Sequence, residues 1–350
     1  MRDSFLEPVV EVETVVGPLL LPRADKIITS TILRWKVWEA METDYLRRTL
    51  RPGDTFVDVG ANVGYFSVLA AKLVGPTGTV IAVEPEARSL DLLHRNLARN
   101  GCHTAHVIEA AAGATAGQVA LALDEMNRGA HRIVDSGDLD AEVAVPCVVL
   151  DEVLPRKVDF VKVDAQGYDH EIVAGLARTI AANQQLRLLV ELSRHELARR
   201  KVDPEGVLAG YRARDFVFRM FDANGWPGEA SEAEVLSLFY DPSQHEELSL
   251  ILDRPATPPF SLRSQPLRVS ALDVRPIKSG AIVFQQAPAR MHTLNESAAV
   301  VLDLCSGEHS VAAIIERVQE IYRLSAPPTI EIEACLDQLR RKDLLTDAAS

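Results

Sequence analysis

The sequence predicts an α/β fold with a mostly parallel sheet, followed by a small α+β domain. Short apolar segments alternate with helical patterns between residues 55 and 252, and they are nearly continuous runs, as expected for parallel strands covered by helices on both faces. Residues 254–270 are rich in proline and serine, which is the composition of a linker. Because 350 residues exceed the usual size of one domain, we expect two domains, 1–253 and 271–350, joined by that linker.

The first domain is predicted to begin with short strands and turns over residues 8–34 and a helix over residues 35–50. In that helix Trp35, Trp38, Met41, Tyr45 and Leu46 recur at helical spacing. The predicted strands that follow are Thr55–Val59, Thr79–Val83, His106–Ala110, Asp159–Val163, Leu186–Leu192, Phe216–Phe221 and Leu248–Leu252. The predicted helices among them are Tyr65–Val74, Ser89–Asn100 and one that begins at about Asp169.

The second domain is predicted to place a short strand before three helices. The strand-like segment is Ala281–Phe284, and Asn295 is a suitable N-cap for a first helix that runs to Leu304. Ser310–Tyr322 carries apolar side chains at helical spacing, and a third helix is expected from about Thr329.

Charge and cysteine content narrow the classes of function. The net charge of -13 argues against a nucleic-acid binder, which needs a basic surface. The four cysteines are scattered without a CxxC pair, which favours small buried side chains in a reducing compartment and predicts no metal site. With no signal segment and no apolar run of about 20 residues, a cytoplasmic protein without a membrane partner is expected.

A glycine-rich turn, Gly60–Gly64, lies between a predicted strand and a predicted helix, where backbone can approach a ligand closely. Its spacing is GxxxG rather than the GxGxxG of dinucleotide enzymes, which disfavours NAD and suits a ligand without phosphates at this point. Glu84 ends the next strand, where a carboxylate can accept hydrogen bonds from two ribose hydroxyls. The turn and Glu84 are therefore expected to lie side by side in a nucleoside site.

Residues 35–252 resemble the FkbM family of methyltransferases. The segments that carry the resemblance are Leu50–Asp54, Phe56–Phe66, Val83–Pro85, Asn96–Gly101, Leu150–Glu152 and Val158–Asp164. The resemblance implies a class I methyltransferase fold, a Rossmann-like seven-stranded sheet with the last strand antiparallel. It also implies that S-adenosyl-L-methionine donates a methyl group, usually to oxygen, and leaves as S-adenosyl-L-homocysteine. The cofactor-binding residues so implied are Asp58, Gly60, Asn62, Gly64, Tyr65, Glu84, Ala111 and Asp164.

The candidates for catalysis follow the fourth strand of the predicted sheet. Asp164 is expected to orient the cofactor or accept a proton, and His170 is the only imidazole in its loop. The family usually has glutamate where this chain has Gln166, so that side chain is expected only to form hydrogen bonds. Lys162, Glu191, His195 and His131 are second-line candidates.

Residues 271–346 resemble the PqqD-like domains, also called precursor-peptide recognition elements. The segments that carry the resemblance are Ile282–Phe284, Met291–Ala298, Leu302–Gly307 and Val311–Ile315. The resemblance implies that a leader peptide adds as a strand to a sheet edge near Arg290–Thr293, with its side chains against the helix near Ile332–Arg341.

Two other roles of this winged-helix-like domain stay open. In a DNA-binding domain the last helix would enter a major groove, and Arg340, Arg341 and Lys342 give that helix some basic character. Three basic residues in an acidic protein are weak support for DNA binding. The domain could instead serve as a scaffold or as the interface of a homodimer.

Together the two resemblances favour a methyltransferase that modifies a ribosomally made precursor peptide. A second hypothesis is an O-methyltransferase of a sugar, lipid or polyketide hydroxyl, with the C-terminal domain as a scaffold or dimerisation module. A third is a peptide-binding protein that keeps the cofactor fold for its shape alone.

Overall fold

A computed structural model describes residues 8–347, except 125, 135–142, 223–224, 226, 244–245, 255–263, 270–271, 279, 287–288, 325 and 343. The chain forms two compact units, Met1–Pro255 and Ala256–Ser350. Much of the predicted linker lies outside the described residues.

The first unit alternates strands and helices. Its strands are β1 (Val9–Thr14), β2 (Gly17–Pro22), β3 (Thr55–Val59), β4 (Thr79–Val83), β5 (Ala105–Ile108), β6 (Ala111–Ala112), β7 (Gly117–Ala122), β8 (Arg132–Val134), β9 (Val143–Val148), β10 (Phe160–Val163), β11 (Arg187–Ser193), β12 (Val217–Phe221), β13 (Pro227–Ala230) and β14 (Glu247–Asp253). Its helices are α1 (Ile28–Trp35), α2 (Ala40–Thr49), α3 (Tyr65–Val74), α4 (Ala87–Arg99), α5 (Leu150–Val153), α6 (Asp169–Ala174), α7 (Ala177–Ala182), α8 (Arg194–Arg199), α9 (Pro204–Arg212) and α10 (Glu232–Tyr240).

The main sheet of this unit has the strand order β13-β12-β14-β11-β10-β3-β4-β5. The five strands from β11 to β5 are parallel, and β14 runs antiparallel to both β11 and β12. The expected class I sheet of seven strands with an antiparallel last strand is therefore confirmed. The structure adds β13 as an extra edge strand beyond β12.

The core of the first unit lies on both faces of this sheet. In β3, Val57 and Val59 pack into one apolar cluster, while Phe56 packs into the other. All five residues of β3 are buried. This two-sided burial explains why the strand has a nearly continuous apolar sequence.

The predicted helix over residues 35–50 is wrong in its first part. Helix α1 ends at Trp35 and α2 begins at Ala40, because Lys36 and Glu39 adopt left-handed conformations with φ values of 61° and 41°. Trp35 is consequently 62% exposed and does not belong to an apolar helix face.

The second unit contains an antiparallel sheet and three helices. Its elements are β15 (Pro266–Arg268), β16 (Leu272–Ile277), β17 (Gly280–Gln286), β18 (Ala289–Asn295), α11 (Glu296–Leu304), α12 (Val311–Tyr322), α13 (Thr329–Arg341) and β19 (Leu345–Asp347). The order of the larger sheet is β16-β17-β18, and β15 pairs with β19. The predicted N-cap is confirmed, because the Asn295 side chain accepts a hydrogen bond from the backbone N–H of Ala298 at 2.9 Å.

Candidate active site

The glycine turn joins β3 to α3 at the carboxyl edge of the parallel strands. The backbone N–H groups of Gly60 and Ala61 donate to the carbonyl oxygen of Val83 at 2.9 and 3.1 Å, which ties the ends of β3 and β4 together. Gly60 has a φ of 79°, and a Cβ atom there would lie 2.0 Å from the carbonyl oxygen of Asp164. Only glycine allows the ends of β3 and β10 to approach so closely.

Glu84 lies directly beside this turn. Its two carboxylate oxygens accept hydrogen bonds from the backbone N–H groups of Asn62 and Glu86, each at 2.8 Å. Burial raises the pKa of Glu84 to about 7, in opposition to these two hydrogen bonds. Asn62 has a φ of 50°, a left-handed conformation that is uncommon outside glycine and that orients its N–H toward the carboxylate. The glycine turn and Glu84 therefore lie side by side, as the sequence predicts.

A cavity opens at these strand ends. Its wall combines the turn, Glu84, residues 110–112, the loop after β10 and a segment around Asn127–His131. The predicted cofactor and catalytic residues on the wall are Gly60, Asn62, Tyr65, Glu84, Ala111, Asp164 and Gln166. The cavity therefore brings together most of the side chains that the sequence singled out.

Three predicted site residues lie off the cavity wall: Asp58, Gly64 and His170. The Asp58 carboxylate accepts a hydrogen bond from the Ser67 hydroxyl at 2.6 Å, and burial raises its pKa. A Cβ on Gly64 would lie 2.6 Å from a methyl carbon of Leu93. Asp58 and Gly64 thus support the glycine turn without lining the cavity. Asp58 ties α3 to β3, and Gly64 allows close packing against α4.

His170 is the second residue of α6, beyond the loop that follows β10. Its Nε2 atom lies 3.9 Å from a carboxylate oxygen of Glu171, and burial lowers its pKa. His195, a second-line candidate, also lies off the wall with a side chain that is 70% exposed. The histidine that does line the cavity is His131, whose Nδ1 accepts a hydrogen bond from the backbone N–H of Asp124 at 2.9 Å.

The end of β10 and the residue after it place a buried ion pair on the cavity wall. The Lys162 ammonium donates to Asp164 at 2.9 Å and lies 3.8 Å from a carboxylate oxygen of Glu39. It also lies 4.7 Å from the centre of the Phe66 ring. Burial alone would lower the pKa of Lys162, but the carboxylates of Asp164 and Glu39 outweigh it and raise the pKa. Lys162 is therefore a charged member of the wall.

Two carboxylates on the wall were not predicted, Glu39 and Glu247. Glu39 precedes α2 in a left-handed conformation, and burial raises its pKa to about 8. Glu247 begins β14 beside Glu191, a second-line candidate that also lines the cavity. Neither residue belongs to a local sequence motif. The pairing of β14 with β11 is the feature that brings Glu247 to the cavity.

The second unit presents one edge of its sheet at β18. In the described part of the chain no strand pairs with the outer side of β18. Met291 on this strand is 65% exposed, whereas Leu294 packs into the core of the unit. The predicted leader-binding segment is therefore an edge strand with an exposed apolar side chain.

Two family comparisons cover separate parts of the chain. Residues 58–218 match the family described as "Methyltransferase FkbM domain", and residues 281–345 match "Coenzyme PQQ synthesis protein D (PqqD)". The chain joins an FkbM methyltransferase domain to a PqqD domain. Its FkbM domain is an S-adenosylmethionine-dependent methyltransferase, and both resemblances read from the sequence are confirmed.

Several solved structures of methyltransferases are similar to part of the FkbM–PqqD chain. Methyltransferase FkbM from Methylobacillus flagellatus KT is 15% identical, with 63% of this chain and 52% of that chain covered and a TM-score of 0.37. Precorrin-6y C5,15-methyltransferase from Geobacter metallireducens GS-15 is 13% identical, with coverages of 62% and 87% and a TM-score of 0.36. TYW2 from M. jannaschii in complex with AdoMet is 13% identical, with coverages of 71% and 88% and a TM-score of 0.37. A comparison with curated proteins found no match.

Neither a membrane-spanning helix nor a metal-binding cluster is present among the described residues of the FkbM–PqqD chain. No helix among them is both long enough and apolar enough to cross a membrane. No group of three or more His, Cys, Asp or Glu side chains among them is arranged to hold a metal ion.

Proposed function

We propose that the chain methylates a ribosomally made precursor peptide, with S-adenosyl-L-methionine bound by the FkbM domain and the leader bound by the PqqD domain. The presence of both domains in one chain is the observation that carries this proposal. A leader held by one domain raises the effective concentration of the core peptide at the other.

In the FkbM domain, the cavity at the strand ends would hold the cofactor. Glu84 would accept hydrogen bonds from the ribose hydroxyls, and the turn from Gly60 to Val63 would lie against the methionine part. S-adenosyl-L-methionine supplies an activated methyl group when bound. The residues after β10 would then orient the acceptor, because Asp164 and Gln166 lie on the same wall. Asp164 is itself held by the Lys162 ammonium, which limits its freedom to rotate.

In the PqqD domain, the leader would pair with the outer side of β18. Strand addition supplies main-chain hydrogen bonds, and exposed side chains along the strand supply specificity. Met291 is a suitable contact because it is exposed and apolar. Val274 on the opposite edge strand, β16, is 38% exposed and offers a matched control.

Kinetics with the full-length chain test the proposal. A candidate precursor peptide and its leaderless core are incubated separately with the chain and S-adenosyl-L-methionine, and mass spectrometry counts the methyl groups gained. We expect removal of the leader to raise KM strongly while kcat changes little. Met291→Asp should raise KM for the full precursor, whereas Val274→Asp should not. An equal KM for the precursor and its core would contradict leader binding.

Cofactor binding is tested separately by calorimetry with S-adenosyl-L-homocysteine. We expect Glu84→Gln to weaken this binding by roughly tenfold or more, because a charge-assisted hydrogen bond to the ribose is lost. An unchanged affinity would remove Glu84 from the cofactor site. Failure of the wild-type chain to bind the ligand at all would favour a peptide-binding protein without catalysis.

A further inference from the structure

The loop between β10 and α6, residues 164–168, has an unusual backbone on the wall of the cavity. Its first three residues, Asp164, Ala165 and Gln166, line the cavity. Gln166 has a φ of 48° and Gly167 a φ of 86°, so two successive residues are left-handed. For a residue other than glycine this conformation is uncommon, and it persists where the surrounding contacts hold it in place. The groups that hold this loop therefore fix part of the site.

Arg200, the residue after α8, makes three contacts with the end of this loop and with α6. Its guanidinium donates to the carbonyl oxygen of Gly167 at 2.5 Å and to a carboxylate oxygen of Glu171 at 2.6 Å. The central carbon of the guanidinium lies 3.6 Å from the centre of the Tyr168 ring. The Arg200 side chain is only 9% exposed, so solvent screens these contacts little. One planar group thus ties the loop and the first turn of α6 to α8.

Two close contacts confine the loop further. A Cβ atom on Gly167 would lie 2.6 Å from the Cβ atom of Glu196, so the loop packs directly against α8. Asp169, the first residue of α6, accepts a hydrogen bond from the backbone N–H of Glu191 at 3.1 Å, which ties α6 to β11. The loop is therefore held between α8 and the sheet.

Arginine suits the three contacts of residue 200 better than lysine does. A guanidinium is planar, so its face can stack on the Tyr168 ring while the N–H groups at its edge reach both oxygen acceptors. A lysine ammonium would keep the charge but would lose the stacked plane and the fixed directions of the donors. Arg200 lies off the cavity wall, so its contacts with the loop are its route to the site.

We propose that Arg200 is a positioning residue for methyl transfer, which holds the loop so that Asp164 and Gln166 face the acceptor. The inference rests on the role that the proposed function gives to this loop, and it adds the residue that fixes the loop. A misplacement of about 1 Å can lower a rate about 100-fold, so loss of this hold should lower kcat by about tenfold or more.

Hydrogen–deuterium exchange of the full-length chain tests the hold on the loop without relying on turnover. In Arg200→Lys, fragments that contain residues 164–171 should exchange about tenfold faster than in wild type or more, because charge-assisted hydrogen bonds that oppose local opening are lost. Glu171→Gln removes one charged acceptor of Arg200 at a half-exposed position. It should give a smaller increase in exchange and serves as a milder variant if Arg200→Lys does not fold.

Kinetics separate positioning from a role in stability alone. With the candidate precursor peptide, Arg200→Lys should lower kcat by about tenfold or more while the KM for S-adenosyl-L-methionine stays within about twofold. Arg95→Lys, on the surface of α4, is the matched substitution that should leave kcat unchanged. Val235→Ala, buried in α10 and off the cavity wall, should lower the Tm and also leave kcat unchanged.

Four outcomes decide the matter. Faster exchange of the loop together with a lower kcat and an unchanged KM for S-adenosyl-L-methionine supports the proposal. Unchanged exchange in both variants of the Arg200–Glu171 pair overturns it, and so does faster exchange with an unchanged kcat. An equal fall of kcat in Val235→Ala also overturns it, because stability alone would then explain the effect. If the wild-type chain does not methylate the peptide, the proposed substrate is contradicted, and the exchange result alone decides whether Arg200 holds the loop.

Discussion

Replacing Glu84 by glutamine perturbs the centre of the candidate cofactor site while keeping its shape. The two carboxylate oxygens of Glu84 accept from the N–H groups of Asn62 and Glu86. Glutamine has a single oxygen, so its amide nitrogen must face one of these two donors. The substitution therefore removes one hydrogen bond, and it also removes a carboxyl group that titrates.

The titration gives the size of the expected effect. Burial raises the pKa of Glu84 from 4.5 to about 7, so the folded state holds this proton more tightly than the unfolded state does. This carboxyl therefore adds stability below pH 4.5, and that stability is lost as the pH rises through 7. A pKa raised from 4.5 to about 7 corresponds to about 3 kcal/mol in full, most of which is lost between about pH 5 and 8.

Urea denaturation at pH 5 and pH 8 measures this loss. Wild type should lose about 2–3 kcal/mol more stability between the two pH values than Glu84→Gln does. Other buried acids with raised pKa values, such as Glu39 and Asp169, are present in both proteins and cancel in the difference. Glu152→Gln serves as a control that should behave like wild type. The unfolding free energy of each protein changes between pH 5 and pH 8. If these changes differ by less than about 1 kcal/mol between wild type and Glu84→Gln, the pKa of the buried carboxyl is not raised.

Three more substitutions test the structure around the turn and in the second unit. Gly60→Ala should prevent the turn from closing, because its Cβ would meet the backbone of Asp164, and we expect loss of both cofactor binding and cooperative thermal unfolding of the first unit. Ser67→Ala should remove the hydroxyl donor of the buried Asp58 carboxylate and lower the unfolding free energy by about 1 kcal/mol or more in urea. An unchanged unfolding free energy would show that this hydrogen bond adds no stability. Asn295→Ala removes the N-cap of α11 and should cost about 1 kcal/mol, measured as a lower Tm of the second unit, whereas Asn295→Gly should cost less.

The sheet of the first unit could be predicted closely from the sequence. Strands β3 and β4 have the bounds that were predicted, Thr55–Val59 and Thr79–Val83. Their side chains are buried on both faces, so their sequences are apolar throughout and give a strong signal. The meeting of the glycine turn with Glu84 followed from chain order alone, because the carboxyl ends of neighbouring parallel strands lie together.

The two carboxylates Glu39 and Glu247 on the cavity wall could not be predicted in the same way. Glu39 reaches the wall through a left-handed backbone conformation, which glutamate rarely adopts and which no local sequence pattern indicates. The same conformation breaks the helix that was predicted over residues 35–50. Glu247 comes to the site through pairing between β14 and β11, a contact between distant parts of the chain. Composition and periodicity carry little information about such contacts.

The position of β14 has a consequence for how the chain is made. This strand is the last of the first unit, yet it lies inside the sheet, between β11 and β12. The sheet therefore cannot close on the ribosome until residues 247–253 have emerged. Synthesis of residues 256–350 then takes about 5–20 s at about 5–20 residues per second. That interval gives the FkbM domain time to fold before a complete PqqD domain exists.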